Sequence, residues 1–205
     1  MTIFYKFEGK MYINITNSCP CSCIFCLRGN ADSIKGNDSL WLEHEPDFDE
    51  IVAAFEAFDK TGITDAVFCG YGEPTERADM IVRTAEYIKQ HSDMKIRLNT
   101  NGLVRLINPE FDIERFRGLI DTVSISLNAP DAKRYNEVTR PSFGERAYDA
   151  MIDFAIAMKS ICSYVGFTVV DIISEAEIEK CRQISEALQI PLRVRAYITD
   201  NESYT

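Results

Sequence analysis

Residues 11–29 read MYINITNSCPCSCIFCLRG, an alternation of apolar and polar side chains that runs straight into four cysteines. Period two places Tyr12, Asn14 and Thr16 on one face of an extended strand, and Ile13 and Ile15 on the other. The same alternation recurs along the chain. Arg97, Asn99 and Asn101 oppose Ile96 and Leu98; Ser124, Ser126 and Asn128 oppose Val123, Ile125 and Leu127. Arg193, Arg195 and Tyr197 oppose Leu192, Val194 and Ala196. Strands are therefore expected at Met11–Asn17, Ala66–Gly70, Lys95–Asn101, Thr122–Asn128, Tyr164–Asp171 and Leu192–Ile198, the fifth alternating poorly. A short Ile3–Phe7 strand pairs with the first through a Glu8-Gly9 hairpin. Helical spacing fits Phe48–Lys60, Arg77–His91, Ile113–Leu119, Arg146–Ile161 and Glu175–Gln189, with Asp47 and Ser174 as N-caps.

Helices between strands predict parallel crossovers. With helices over the apolar faces, the polar faces converge on a lumen that holds ligand. An antiparallel sheet with one wet face would alternate in the same way, but the intervening helices argue against it. Six βα units in 205 residues fall short of a closed eight-unit barrel. The expected fold is an α/β incomplete (β/α)6 TIM-like partial barrel, parallel strands with helices outside, in a single domain over residues 1–205.

The net charge of −10 opposes a nucleic-acid partner. Apolar runs are too short for a membrane span, and the N-terminus lacks the pattern of a secretion signal, so a cytoplasmic protein is expected. In that reducing compartment seven cysteines point to metal or redox chemistry rather than disulfides. Cys69, Cys162 and Cys181 sit singly in apolar stretches and read as small buried hydrophobes. Cys19, Cys21, Cys23 and Cys26 fall within eight residues. Either all four close a zinc or fully ligated iron–sulfur site, or three hold a cluster and one iron stays open. Spacing argues against zinc, because zinc ribbons pair two distant C-x2-C halves and this chain has no second pair, and it leaves open whether a cluster takes three or four of these cysteines.

Cys19, Cys23 and Cys26, spaced C-x3-C-x2-C with Phe25 before the last, resemble the signature of the radical S-adenosylmethionine (SAM) superfamily, which follows the first barrel strand. The resemblance spans nearly the whole chain and implies a radical SAM core with its cluster-binding loop at residues 18–28. Phe68-Cys-Gly70-Tyr-Gly72-Glu73-Pro74 resembles the family's G-G-E-P segment, whose carbonyls and Glu73 would receive the SAM ammonium. The segments containing Asn99 and Asn101, and Ser126 and Asn128, resemble the next two motifs, the latter binding ribose and carboxylate. All lie at carboxyl ends of strands, where such folds bind ligands. The implied cofactors are a [4Fe-4S] cluster and SAM. The implied activity is reductive cleavage of SAM to a 5′-deoxyadenosyl radical that abstracts hydrogen from a small-molecule or peptide substrate. A flavodoxin- or ferredoxin-like electron donor is implied with it. The different-class alternative is a noncatalytic four-cysteine module partnering a hydrolase.

Within the superfamily, Asp38–Glu43, Cys69–Pro74 and Val123–Pro130 resemble the compact TatD-linked group, which implies a TatD-type hydrolase as partner. Arg97, Arg193 and Arg195 are expected in the lumen, Arg195 on the SAM carboxylate and the others free for an anionic substrate group, unless they pair with Glu73 or Asp171. Arg140 is a further candidate contact for SAM or substrate, and the Arg28–Glu45 loop, with Gly36 and Trp41, is expected to cover the site.

Overall fold

A computed structural model describes residues 1–29 and 37–197. Among the described residues seven strands form one sheet in chain order: β1 (Phe4–Phe7), β2 (Lys10–Ile13), β3 (Asp65–Phe68), β4 (Lys95–Thr100), β5 (Thr122–Ser126), β6 (Tyr164–Val170) and β7 (Leu192–Arg195). Only β1–β2 is antiparallel. Glu8 and Gly9, at φ 48° and 71°, make the left-handed two-residue turn that matches strand twist, so the hairpin forms where Gly9 permits it.

Helices occupy the crossovers: α1 (Phe48–Ala57), α2 (Ala78–His91), α3 (Val104–Ile107), α4 (Ala132–Thr139), α5 (Arg146–Met158) and α6 (Glu175–Leu188). Asp47 and Ser174 each close a capping box, with Glu50 and Glu177 reaching back. Asp131 caps α4 by accepting from Arg134 N, an N-terminus absent from the expected helices. The expected helix at Ile113–Leu119 is instead a single 3-10 turn, Ile113–Phe116, because Arg117 is extended and Gly118 turns left-handed. α1 stops at Ala57 rather than Lys60; the Lys60 ammonium donates to the Phe55 carbonyl and satisfies an orphan acceptor of the last turn. Ile198, the expected end of the last strand, lies outside the described residues.

The main core lies between sheet and helices. Phe68, Ile96, Leu98, Val123, Ile125 and Phe167 pack there against Ile81, Met151 and Phe154. Each such side chain contributes roughly 1.5–3 kcal/mol by leaving water. The poorly alternating β6 resolves here, with Val165, Phe167 and Val169 buried and Thr168 and Val170 lining the opposite cavity.

A second, smaller core fills the inner face at the β1–β3 end: Tyr5, Tyr12, Leu40, Val67 and Tyr71. This corrects the expectation of a polar lumen along β2. Tyr12 stacks on Tyr5 at 5.2 Å, Asn14 donates to the carbonyls of Thr2 and Leu40, and Thr16 donates to Glu45. The residues after 37 fold back over that face and consume its polar groups, which a strand's own periodicity does not reveal. Among the described residues no helix is long and apolar enough to cross a membrane.

Candidate active site

The cysteine loop leaves β2 at the carboxyl edge of the sheet and is pinned on three sides. Ser18 accepts from Glu73 N at 2.8 Å, and Arg77 donates to the Ile15 carbonyl at 2.9 Å. On the far side Ser22 N donates to the carbonyls of Thr139 and Arg140, Ile24 N to Val138, and Ser142 N to Pro20. The β3–α2 turn approaches so closely that only glycine fits. A Cβ on Gly72 would lie 2.3 Å from the Thr16 carbonyl oxygen and 2.6 Å from that of Ser18. On Gly70 it would lie 2.0 Å from Asn14 Oδ1, a fully buried acceptor without a partner.

Glu73 is 5% exposed, and burial pushes its carboxyl above the ordinary range. Oε1 accepts from Thr75 N, Thr75 Oγ1 and Thr100 Oγ1, and Oε2 from Asn101 N at 2.7 Å. A carboxylate has about four acceptor positions, so Oε2 retains one. Asn101 is committed to the protein itself: its Oδ1 accepts from Leu103 N and its Nδ2 donates to Cys21 Sγ at 3.7 Å.

Cys19, Cys23 and Cys26 are half-buried, while Cys21 is 6% exposed and belongs to the main core. Hydrogen bonding to Cys19 and Cys23, followed by burial, drives the Cys21 thiol far up; its bond to Cys19 draws that thiol down. Burial pushes Cys162 and Cys181 to about 12, as expected of inert thiols. Among the described residues no three Cys, His, Asp or Glu groups converge on a point that one metal ion could occupy. Three thiolates on a cubane bind three different irons and need no such point.

The loop separates two hollows. Phe25, Cys26, Leu27 and Arg28 bound an inner cavity of about 270 Å³, together with Cys69, Gly70, Ser126, Asn128, Thr168 and Arg195. Asn128 takes left-handed φ 54° after β5, and its Oδ1 accepts from Val170 N at 3.4 Å, leaving its Nδ2 donor free. Cys19 and Pro20 instead bound an outer recess of about 630 Å³ with Glu76, Leu106, Ile107, Arg140 and Phe143. Arg140, the further candidate contact, lines the outer recess and not the inner cavity.

The alternative in which the lumen arginines pair with Glu73 or Asp171 does not hold among the described residues. Glu73 is held as above, and Asp171 accepts from Tyr197 N. Among the described residues Arg97, Arg193 and Arg195 form no ion pair. Arg97 donates only to Tyr12 OH, at 3.3 Å, and its Nε is buried without a partner, as is Asn99 Oδ1. Burial raises the Cys69 thiol against the opposing pull of Asn99, Arg195 and Arg97, which places both cations near it. Of the three lumen arginines only Arg195 is on the cavity lining; Arg97 and Arg193 lie off it, as does Asn99.

Arg28 was not singled out in the sequence. Its guanidinium donates to the carbonyls of Asn17 and Tyr71 and lies 5.4 Å from the Trp41 ring, which meets Tyr71 edge-on at 5.1 Å. Leu42 N donates to Asn17 Oδ1 and Asn17 Nδ2 returns to the Leu42 carbonyl, so residues 40–42 strap the cavity's edge. Gly36, part of the expected covering loop, lies outside the described residues. Tyr5 was also missed, since its strand reads only as a hairpin arm; its hydroxyl donates to the Cys69 carbonyl.

Against this geometry, the family model described as the Radical SAM superfamily matches residues 13–183. Molybdenum cofactor biosynthesis protein 1 of Drosophila melanogaster is 26% identical over 183 residues, covering 80% of this chain and 30% of its own length. GTP 3′,8-cyclase of Saccharophagus degradans is 27% identical over 135 residues, covering 65% of this chain and 37% of its own. The chain spans about a third of the length of these curated relatives. Streptococcus suis SuiB bound to precursor peptide SuiA superposes with a TM-score of 0.62 at 18% identity, over 95% of this chain and 40% of that one. A radical SAM methyltransferase from Sphaerobacter thermophilus superposes at 0.60 and 18%, over 94% and 68%. These likenesses establish the fold as a parallel α/β partial barrel.

Proposed function

The chain belongs to the radical SAM superfamily, and from that membership we propose an enzyme whose Cys19, Cys23 and Cys26 hold a [4Fe-4S] cluster beside a SAM-binding cavity. The observation that carries this reading is the placement of Cys26 and Phe25 on the wall of the same cavity as Ser126, Asn128 and Arg195. The donor set fits the group: three half-buried thiols on a loop pinned by backbone contacts, with the fourth turned into the core. When bound, such a cluster supplies the electron that splits SAM into methionine and a 5′-deoxyadenosyl radical, which takes hydrogen from the substrate.

The protein's own part is binding and orientation. The open position on Glu73 Oε2 and the backbone carbonyls of Gly70 and Gly72 suit the SAM ammonium. Ser126 and the free Asn128 amide suit ribose hydroxyls, and Arg195 suits the carboxylate. Phe25 and the Trp41–Tyr71–Arg28 stack keep water from the cavity. Asn99 offers an unpartnered oxygen, and Asn101 acts as a positioning residue through Glu73 and Cys21. The SuiB neighbour with its bound precursor peptide supports keeping peptides beside small molecules as substrates. The TatD-linked assignment, with a TatD-type hydrolase as partner, rests on the three segments quoted above.

Anaerobic reconstitution with iron and sulfide tests the core reading. A reduced-cluster paramagnetic resonance signal that shifts on SAM addition is expected, with slow 5′-deoxyadenosine release. A signal indifferent to SAM, or retained zinc, overturns it in favour of a noncatalytic module.

With Arg195 given to the SAM carboxylate, the substrate reading rests on Arg97, which meets no acid and whose buried Nε has no partner, a group suited to a carboxylate or phosphate. Malonate titrated into the protein is expected to bind with an affinity that Arg97→Gln lowers by about tenfold. Equal binding in both proteins removes the anionic seat.

A further inference from the structure

Four cysteines stand outside the three at cluster spacing, and they differ in what they face. Cys21 belongs to the main core, and Cys162 and Cys181 lie off both hollows. Cys69 lines the inner cavity, on one wall with Cys26, Gly70, Ser126 and Thr168. It is half-buried, packed against the second core and open to the cavity. The expectation of a small buried hydrophobe therefore fits Cys181 and not Cys69.

Strand register sets the depth of this thiol. Ile13, Phe68 and Leu98 are partners across β2, β3 and β4, and Cys69 N donates to the Ile13 carbonyl at 3.0 Å. One residue further on, Asn14, Cys69 and Asn99 form a row on the inner face. Asn99 is level with Ser124 on β5, so Ser126 and its partner Thr168 belong to the next row toward the carboxyl ends. Two residues of strand rise separate the rows by about 7 Å. Cys69 is thus the floor of the cavity, beneath the row that offers its hydroxyls to ribose.

Two acceptors in the floor row lack donors. Asn14 is fully buried, and its Nδ2 is spent on the Thr2 and Leu40 carbonyls. That fixes the amide and leaves Oδ1 without a partner, aimed at Gly70 on the cavity wall beside Cys69. Asn99 Oδ1 is also buried without one. An unmet buried acceptor is costly, so the floor is shaped for a ligand that brings N–H or O–H donors. The thiol between them keeps its hydrogen, because burial outweighs the pull of Asn99, Arg195 and Arg97. A protonated thiol is a poor nucleophile and metal ligand. It is a good hydrogen-atom donor, since an S–H bond is weaker than a C–H bond.

We propose that Cys69 gives a hydrogen atom to carbon radicals formed in the inner cavity. The proposal rests on the radical SAM reading above. The Cys69 S–H bond breaks homolytically, a C–H bond forms on the radical carbon, and the sulfur keeps the unpaired electron. A low-potential one-electron donor, the class of reductant that also serves the cluster, reduces the sulfur to a thiolate, which takes a proton from solvent. A substrate carbon thus loses one hydrogen to the deoxyadenosyl group and regains one from sulfur. SAM is then consumed at each turnover rather than regenerated.

SAM alone is a sufficient probe, because without substrate the 5′-deoxyadenosyl radical is itself the carbon radical in the cavity. The reconstituted protein is equilibrated in D2O, so that Cys69 carries deuterium, and is reduced with dithionite in buffer free of added thiols. Wild-type protein is expected to release singly deuterated 5′-deoxyadenosine, read by mass spectrometry. Cys69→Ser keeps the size of the side chain but carries a strong O–H bond, and it loses most of that label, as does Cys69→Ala. Cys162→Ser, whose position lies off the cavity, keeps the label. The deuterium fraction does not depend on how much product a variant makes, and iron content with the SAM-induced resonance shift reads whether each variant is loaded. Equal deuterium in wild-type protein and both Cys69 variants, or a label lost to the same extent in Cys162→Ser, overturns the donor and leaves the radical SAM reading standing. Iron lost from both Cys69 variants assigns the thiol to holding the cluster loop and overturns the donor as well. Wild-type protein that releases no 5′-deoxyadenosine overturns the enzymatic reading, and the donor with it.

Discussion

Cys23→Ser protein reconstituted anaerobically is expected to lose its cluster absorbance and to drop SAM cleavage by more than about a hundredfold, whereas Cys21→Ser keeps both. The two positions are neighbours in sequence and differ in where they point. Cys23 is half-buried on the loop, while Cys21 is 6% exposed, sits in the main core and receives the Asn101 amide. Serine at position 21 brings a hydroxyl into that core, where Asn101 Nδ2 partly satisfies it. A stability loss of about 1–2 kcal/mol is expected, with the cluster retained. Iron content together with thermal melting reads both effects. A Cys21→Ser protein that assembles no cluster would make Cys21 the fourth ligand and close the iron that SAM requires.

Gly72→Ala carries the second large effect. The added methyl meets backbone on both sides, the carbonyls of Thr16 and Ser18, and neither moves without displacing the segment that leads into Cys19. Glu73 N, the next donor along, is bonded to Ser18 and would be displaced with it. Overpacking of this kind costs about 2–3 kcal/mol, which for a chain of this size lowers the melting temperature by about 5–10 °C. Iron retention is expected to fall in parallel. Gly29→Ala is the control on the same side of the molecule, because a Cβ there meets nothing within 4 Å. If Gly72→Ala melts and binds iron like Gly29→Ala, the close approach of the β3–α2 turn does not position the cysteines.

The positions of the seven strands found among the described residues, and the parallel crossovers between them, were legible from apolar runs, period-two alternation in four of them and intervening helical spacing. So was the capping chemistry at Asp47 and Ser174. These are local properties: a side chain's face in a strand, or an oxygen two or three residues from an orphan N–H, depends only on neighbours along the chain. α4 escaped because its buried face is short, Tyr135, Val138 and Thr139, and gives little periodic signal. The helix expected at Ile113–Leu119 failed for the opposite reason: its apolar residues belong to a turn that Gly118 breaks.

At the site, the sequence alone determined which residues gather at the carboxyl ends of the strands, including three cysteines at cluster spacing, two glycines, Glu73, Asn99, Ser126, Asn128 and Arg195. Only the tertiary structure decided what each is free to do. It committed Tyr12, Asn14 and Thr16 to a strap from residues after 37, turned Asn101 toward Cys21, left Arg97 and Arg195 without acids, and put Arg140 on the outer side of the loop. The physical reason is the range of the interaction. Facing follows from the chain's own geometry, but a polar group's availability depends on partners that arrive from distant segments, and periodicity carries no record of those.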